Sequence, residues 1–400
     1  MRSFNKKKGA HSSVFGFPQN VFFLSLVSFL NDIGGETIKK TIPLFLANVF
    51  GVSVTIIGFI EGVANATPQL LQPISGYLSD VMHARKPIVV VGQVLRAFIL
   101  LLLWTTTWPS ILVIRFLDRS GKGIADAPRD ALIAESAEKG HVGRAFGLTR
   151  MFDNGGAVVG LLLASAILLY TQHGAPVLTD ATFHSIVLLV VAPLIANVGI
   201  LAFFVHDVPR KIKEKISFSF HNNLGNKFYV FLALSFLFTL GNSSDAFIVL
   251  KAQLVGLPVW QIFILLAGYS LVSSLSALPL SSLSDHIGRK TLLVLGWLFY
   301  TTVYFLIGGS TSRTAMILLV LLYGLYYGLT EGSARAYISD IVIPKRHGTA
   351  YGVYNMVTGI TLFGASLVAG FLWQTYQPAA AFYFGGSMAA VAAVGLFFFL

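Results

Sequence analysis

Read from its amino end, the chain alternates long apolar runs with short polar breaks. The runs cover approximately 19–50, 54–79, 87–107, 109–135, 146–170, 184–205, 227–252, 259–284, 291–309, 314–338, 349–375 and 378–400. Each has the roughly 20 residues that a helix needs to cross a bilayer, so the pattern predicts twelve spanning helices. The fourth run departs from the rest. Arg115, Asp118, Arg119, Lys122, Asp126, Arg129 and Asp130 recur in it at three- and four-residue steps, which on a helix form one polar stripe. Such a helix can span only if the stripe is hidden from lipid.

Composition supports this reading. Of 400 residues, 55% are hydrophobic and 11% charged, against roughly 25% charged in a soluble domain, and mean hydropathy is +0.75. A soluble globular protein is excluded. A net charge of +11 would point to nucleic acid in a soluble chain. Here the cations gather on one side of the predicted spans: Arg2 and Lys6 to Lys8, Arg85 and Lys86, Lys139 and Arg144, Arg210 through Lys227, Arg289 and Lys290, Lys345 and Arg346. Only Arg313 falls in a loop on the other side. This bias predicts a multi-pass protein with both termini cytoplasmic, as in a bacterial inner (cytoplasmic) membrane, so that its charge is set by the lipid bilayer and not by nucleic acid. The basic head before Val21 resembles a signal peptide, but Asn31 and Asp32 interrupt the apolar run and no small-residue cleavage site follows, which predicts a retained first span. The chain contains no cysteine, so disulfides and thiolate metal sites are excluded.

The chain repeats itself. Leu78-Ser79-Asp80 returns as Leu283-Ser284-Asp285, Gly143-Arg144-Ala145-Phe146-Gly147 as Gly348-Thr349-Ala350-Tyr351-Gly352, and Ala134-Glu135-Ser136 lies opposite Ile338-Ser339-Asp340, all at an offset of 205. Two homologous six-helix halves follow, which places a substrate site near the membrane midplane at their interface. The expected organisation is a cytoplasmic tail over 1–18, a first bundle over 19–206, a cytoplasmic linker over 207–226 and a second bundle over 227–400.

Gly76-Tyr-Leu-Ser-Asp80-Val-Met-His-Ala-Arg85-Lys86 and Ser281-Ser-Leu-Ser-Asp285-His-Ile-Gly288-Arg289-Lys290 resemble the paired loop signature of the major facilitator superfamily. Arg115 followed by Gly121 and Gly123 is similar to that family's fourth-helix motif, with Arg119 where a glycine is usual, and Gly155, Gly156 and Gly160 fit its glycine-rich fifth helix. In the first loop copy Ala84 replaces the usual glycine before Arg85. Gly121-Lys-Gly-Ile, Pro128-Arg-Asp-Ala-Leu-Ile-Ala and Gly241-Asn-Ser-Ser-Asp245 further resemble a bacterial subgroup of permeases. The resemblance implies an all-α integral membrane fold of two pseudo-symmetric six-helix bundles, a monomeric alternating-access carrier rather than an enzyme, and no cofactor beyond a proton gradient. It also implies a cytoplasmic latch of the outward-open state, made by Asp80 and Arg85 with Asp130 or Glu135, and by Asp285 and Arg289 in the second half. This latch would open as the halves rock.

Charges inside spans are costly in lipid and mark cavities or partners. Candidates for the substrate cavity are Asn31, Lys40, Arg96, Arg115, Asp118, Arg119, Lys122, Asp245, Glu331 and Arg335. At 1.5 Å per residue, Asp32 lies roughly 16 Å from the cytoplasmic side and Glu36 roughly 22 Å, while Arg115 and Arg119 lie roughly 10 and 16 Å from the far side. In a core about 30 Å thick, Asp32 is then level with Arg119, and Glu36 and Glu61 with Arg115. A carboxylate that gains or loses an arginine partner changes its hold on a proton, so Asp32, Glu36 and Glu61 are the proton-coupling candidates. The cation-rich first half favours an anionic solute, such as a carboxylate-type metal chelate (a siderophore), while the subgroup resemblance leans to efflux of small organic molecules. The spacing of a nucleotide-binding loop is absent and no histidine lies deep in a span, which leaves a channel or receptor as the non-carrier alternative. A bend is expected near Pro128, which lacks a backbone donor.

Overall fold

The computed structural model describes residues 13–82, 84–104, 107–138, 141–208, 224–343 and 346–400, with the side chains at 13, 278, 281, 282, 284–286 and 331 outside the description. The tail through residue 12, the linker at 209–223, and the side chains of Asp285 and Glu331 therefore lie outside the described residues. A two-residue antiparallel hairpin, Ser13–Val14 with Phe17–Pro18, precedes the first helix. Helices then follow in order: α1 Gln19–Asn48, α2 Val54–Val81, α3 Lys86–Ile99, α4 Trp108–Ser136, α5 Val142–Gln172 and α6 Asp180–Phe204. The second half comprises α7 Asn226–Gly241, α8 Ala246–Leu254, α9 Val259–Ile287, α10 Arg289–Gly309, α11 Arg313–Ile341, α12 His347–Thr375 and α13 Pro378–Phe399.

Eleven of the resulting spans are long and apolar enough to cross a membrane, counting α7 and α8 as one. The twelfth is α4, whose stripe makes it too polar by composition; its Arg115, Asp118 and Arg119 are buried in protein. The third span ends in a 3-10 turn, Leu100–Trp104. The expected continuous seventh helix is broken: residues 242–245 leave the helix between α7 and α8. Pro128, by contrast, does not interrupt α4.

The offset of 205 carries into three dimensions. Helices α2, α4 and α5 begin at 54, 108 and 142, and α9, α11 and α12 begin 205 residues later at 259, 313 and 347. Within the first half α1 packs on α5 and α6, while α4 packs on α2 and α3; the two halves meet along α2 with α12, α5 with α9, and α1 with α8. Glycines permit the close crossings. A Cβ at Gly156 or Gly160 would strike the carbonyl oxygens of Phe29 or Ile33 on α1, and one at Gly58 would strike Ser366 O on α12. Both ends of the described chain and the α2–α3, α4–α5, α9–α10 and α11–α12 connections share one face, called here the basic face.

Candidate functional site

Closure of the face opposite the basic one is built from hydrogen bonds between the halves. Lys40 Nζ on α1 donates to Asp245 Oδ2 at the break before α8, 2.6 Å away. Tyr323 OH donates to Asp245 Oδ1 at 3.5 Å, and the Lys40 ammonium lies 5.7 Å from the Tyr269 ring. Nearer the helix ends, Gln253 Nε2 donates to Asn48 Oδ1 at 3.1 Å, Val54 N to Gln374 Oε1 at 3.2 Å and Thr55 Oγ1 to Gly370 O at 3.2 Å. Ser165 Oγ donates to Trp260 O at 2.9 Å.

Toward the basic face the halves separate around a cavity of about 600 Å³. Its walls carry Asp32, Gln72, Lys122, Asp126, Ala127, Arg129, Asp130, Arg150 and Asp153 from the first half and Arg335, Tyr351 and Asn355 from the second. Four carboxylates thus face four cations. The innermost lining residues are Asp32 and Lys122; at the rim Arg150 and Arg335 are exposed, and the Asp130 side chain is 50% exposed.

Between closure and cavity lies a buried charge network on α4. Asp118 accepts from Arg96 Nε at 3.0 Å and lies 3.7 Å from Arg115 Nη1 and 3.5 Å from Arg119 Nε. Arg115 Nη2 donates to Glu61 Oε1 at 2.9 Å, and Glu61 Oε2 accepts from Ser244 Oγ of the other half at 3.2 Å. Arg96 Nη1 also donates to Asn31 Oδ1. The pairing expected from depth, Asp32 with Arg119 and Glu36 with Arg115, is not what forms. Depth fixes level but not direction. Because α4 packs on α2 and α3, its arginines find Glu61 and Asp118 instead. Asp32 stands on the cavity wall beside Asn31, whose Nδ2 lies 3.5 Å from it, and Glu36 pairs with Lys39 at 3.7 Å.

The latch residues divide similarly. Arg85 bridges Asp80 at 3.2 Å and Glu135 at 2.8 Å, while Asp130 turns into the cavity and takes Arg129 at 3.0 Å. Asp207 accepts from the backbone N–H groups of Arg85 and Lys86, at 3.0 and 2.8 Å, and so caps α3. In the second half Arg289 reaches Asp340 at 2.6 Å and Ala336 O at 2.8 Å. Each cluster joins helices of a single half and is formed here while the opposite face is closed. Among the described residues the Arg85 cluster makes no bridge from one half to the other.

Sequence reasoning missed the buried tyrosine cluster of the second half. Tyr269, Tyr300, Tyr304, Tyr323, Tyr326 and Tyr327 form a contiguous aromatic cluster, with Tyr300 and Tyr304 stacked at 4.2 Å and Tyr326 meeting Tyr327 edge-on at 4.9 Å. Tyr323 and Tyr327 hold the positions that Asp118 and Lys122 hold in α4, 205 residues earlier. Transferring the charged stripe through the repeat would have located them. Asp153 and Arg150 on α5 were also missed, since one carboxylate in an apolar run carries no periodic signal.

Comparison with known proteins agrees with this architecture. The Major Facilitator Superfamily model matches residues 24–262 and 230–400. An uncharacterized MFS-type transporter of Methanocaldococcus jannaschii is 35% identical over 393 residues, 95% of this chain and 94% of that one. The multidrug resistance protein MdtH of Proteus mirabilis is 31% identical over 153 residues, 38% of each chain. Among solved structures, a mutant of the nucleoside transporter NupG superposes with a TM-score of 0.81 at 13% identity, covering 94% of this chain and 98% of the other.

Proposed function

The chain belongs to the major facilitator superfamily, and we propose that it is a monomeric secondary carrier that moves a small organic solute across a cytoplasmic membrane by alternating access, driven by the proton gradient in the direction of efflux. The observation that carries this reading is the asymmetry of the interface between halves. Lys40 and Asp245 join the halves on one side, while the cavity parts them on the other. The lysine and arginine bias assigns the basic face to the cytoplasm, so the conformation is inward-facing. A channel needs one continuous path, whereas a carrier needs one side shut.

Proton coupling falls to Asp32, Glu36 and Glu61. Asp32 is reachable from the cytoplasm through the cavity, whose wall also carries Lys122, Arg129 and Asp153. Glu61 senses the conformational change directly, because its Ser244 partner belongs to the other half and leaves when the far side opens. Similarity of part of the chain to a multidrug resistance protein supports efflux and an organic solute. The test is transport in proteoliposomes of ligands selected by thermal-shift screening. Saturable, trans-stimulated flux that follows an imposed pH gradient supports the proposal; flux without exchange sinks it.

A further inference from the structure

We propose that the buried arginine cluster of α4 docks the anionic end of the solute, and that the solute is a small monoanion whose carboxylate is held by Arg119. This rests on the carrier reading above and adds the charge class of the cargo.

The cluster contains three guanidinium groups, Arg96, Arg115 and Arg119, against two carboxylates, Asp118 and Glu61, and each of these side chains is 5% exposed or less. Neighbouring charges cancel in pairs: Lys40 with Asp245, and Glu36 with Lys39. One positive charge is left over in a buried place, where an uncompensated charge is strongly disfavoured. The hydrogen-bond inventory points the same way. Arg96 Nη2, Arg115 Nε and Nη1, and Arg119 Nε and Nη2 find no acceptor among the protein atoms. The approaches of Arg115 Nη1 and Arg119 Nε to Asp118 Oδ2, at 3.7 and 3.5 Å, are longer than hydrogen bonds, and that oxygen is the cluster's one unpartnered acceptor against five unpartnered donors.

Of the two arginines of the cluster on α4, Arg119 is the nearer along the helix to the cavity wall. It lies on α4 one turn beyond Lys122, the innermost α4 residue of the cavity wall, which is about 4.5 Å further along the helix axis. Its Nε has a long ionic approach to Asp118, and its Nη2 has no partner. A guanidinium fork of this kind matches a planar carboxylate, which accepts two parallel N–H bonds. Charge then decides between anions. One negative charge brings the cluster to neutrality, whereas a dianion such as hydrogen phosphate would invert its sign. The opposing half carries Tyr323 and Tyr327 at the positions corresponding to Asp118 and Lys122, so it repeats neither the carboxylate nor the ammonium and adds no second charged dock.

The experiment is thermal melting of the purified full-length protein in detergent with benzoate, with benzamide as its uncharged isostere, and with phosphate at equal ionic strength. Benzoate is expected to raise the melting temperature by about 3 °C or more near saturation, with benzamide and phosphate giving much less. Arg119→Lys keeps the charge but loses the fork, and should weaken the apparent benzoate affinity at least about tenfold. Asn31→Asp supplies a resident carboxylate beside Arg96 and makes the count three against three. That variant should melt higher without ligand and lose the benzoate response. Equal shifts for benzoate and benzamide, no shift with either, or an Asn31→Asp variant that responds like the wild type would each overturn the proposal. Equilibrium binding needs no turnover. Benzoate binding by a protein that fails to alternate would contradict the carrier reading alone, and alternation without benzoate binding would contradict the anion site alone.

Discussion

Lys40 and Asp245 are 205 residues apart in the chain and 2.6 Å apart in space. The repeat offset is also 205, so each residue touches its own counterpart in the other half, which happens only beside the pseudo-twofold axis. Asn48 and Gln253 repeat the relationship at 3.1 Å. Asp130 and Arg335, again 205 apart, stand on opposite walls of the cavity. The axis thus carries one opposite-charge pair that is closed and a second that is held open, so rocking would exchange one for the other.

The first prediction concerns that exchange. Lys40→Gln or Asp245→Asn leaves a largely buried partner unpaired, a loss of about 3 kcal/mol to the closed far side. Spin labels at Val177 and Thr311 on the far face should report a longer distance in either variant. The swapped double variant, Lys40→Asp with Asp245→Lys, should recover the short distance. A swap that stays long would show that the pair is incidental to closure.

The α4 network predicts an order of stabilities. Asp118 faces three arginines, so Asp118→Asn strands the most charge and should cost about 4 kcal/mol, while Glu61→Gln strands only Arg115, which keeps its approach to Asp118, and should cost about 2 kcal/mol. Melting temperatures in detergent check the order; equal values would refute it.

Two glycine substitutions separate packing from gating. Gly156→Ala drives a methyl into Phe29 O within the first half and should destabilise every conformation by about 1–3 kcal/mol. Gly58→Ala meets Ser366 O across the interface, so it should spare folding and lengthen the far-face distance. A Cβ at Gly147 meets nothing within 4 Å, and Gly147→Ala serves as the neutral control.

Coupling gives a fourth prediction. Asp32→Asn removes the one carboxylate of the proton-coupling set that lines the cavity. It should abolish transport driven by a pH gradient and retain solute exchange at zero gradient. Gradient-driven transport at the wild-type rate would remove Asp32 from the mechanism.

Spans and duplication were legible because both are written in one dimension: apolar length marks a helix in lipid, and Asp80 with Asp285, or Gly143 with Gly348, mark the repeat directly. Side-chain pairing was not. Counting residues places Asp32 and Arg119 at one depth but says nothing about rotation, and α1 turns toward α5 while α4 turns toward α2 and α3. The break at 242–245 did carry a signal, since Gly241-Asn-Ser-Ser-Asp245 is a run of loop-forming residues, but the apolar residues on either side carried the span through it, and the partners that hold the break come from elsewhere. Tyr326 OH accepts from Asn242 Nδ2 at 3.1 Å, and Ser366 Oγ accepts from Ser244 N at 3.3 Å. These partners become visible only once α11 and α12 are in place.

The most direct test of alternating access uses two spin-label pairs in this cysteine-free chain, one on each face. Gly143 and Gly348, repeat counterparts on the basic face where a Cβ at either meets nothing within 4 Å, report the cavity mouth; Val177 and Thr311 report the closed side. Pulsed distance measurements should resolve two populations in each pair. On adding substrate or shifting pH, one distance should lengthen as the other shortens. Distances that change together, or a single fixed distance in both pairs, would contradict the account.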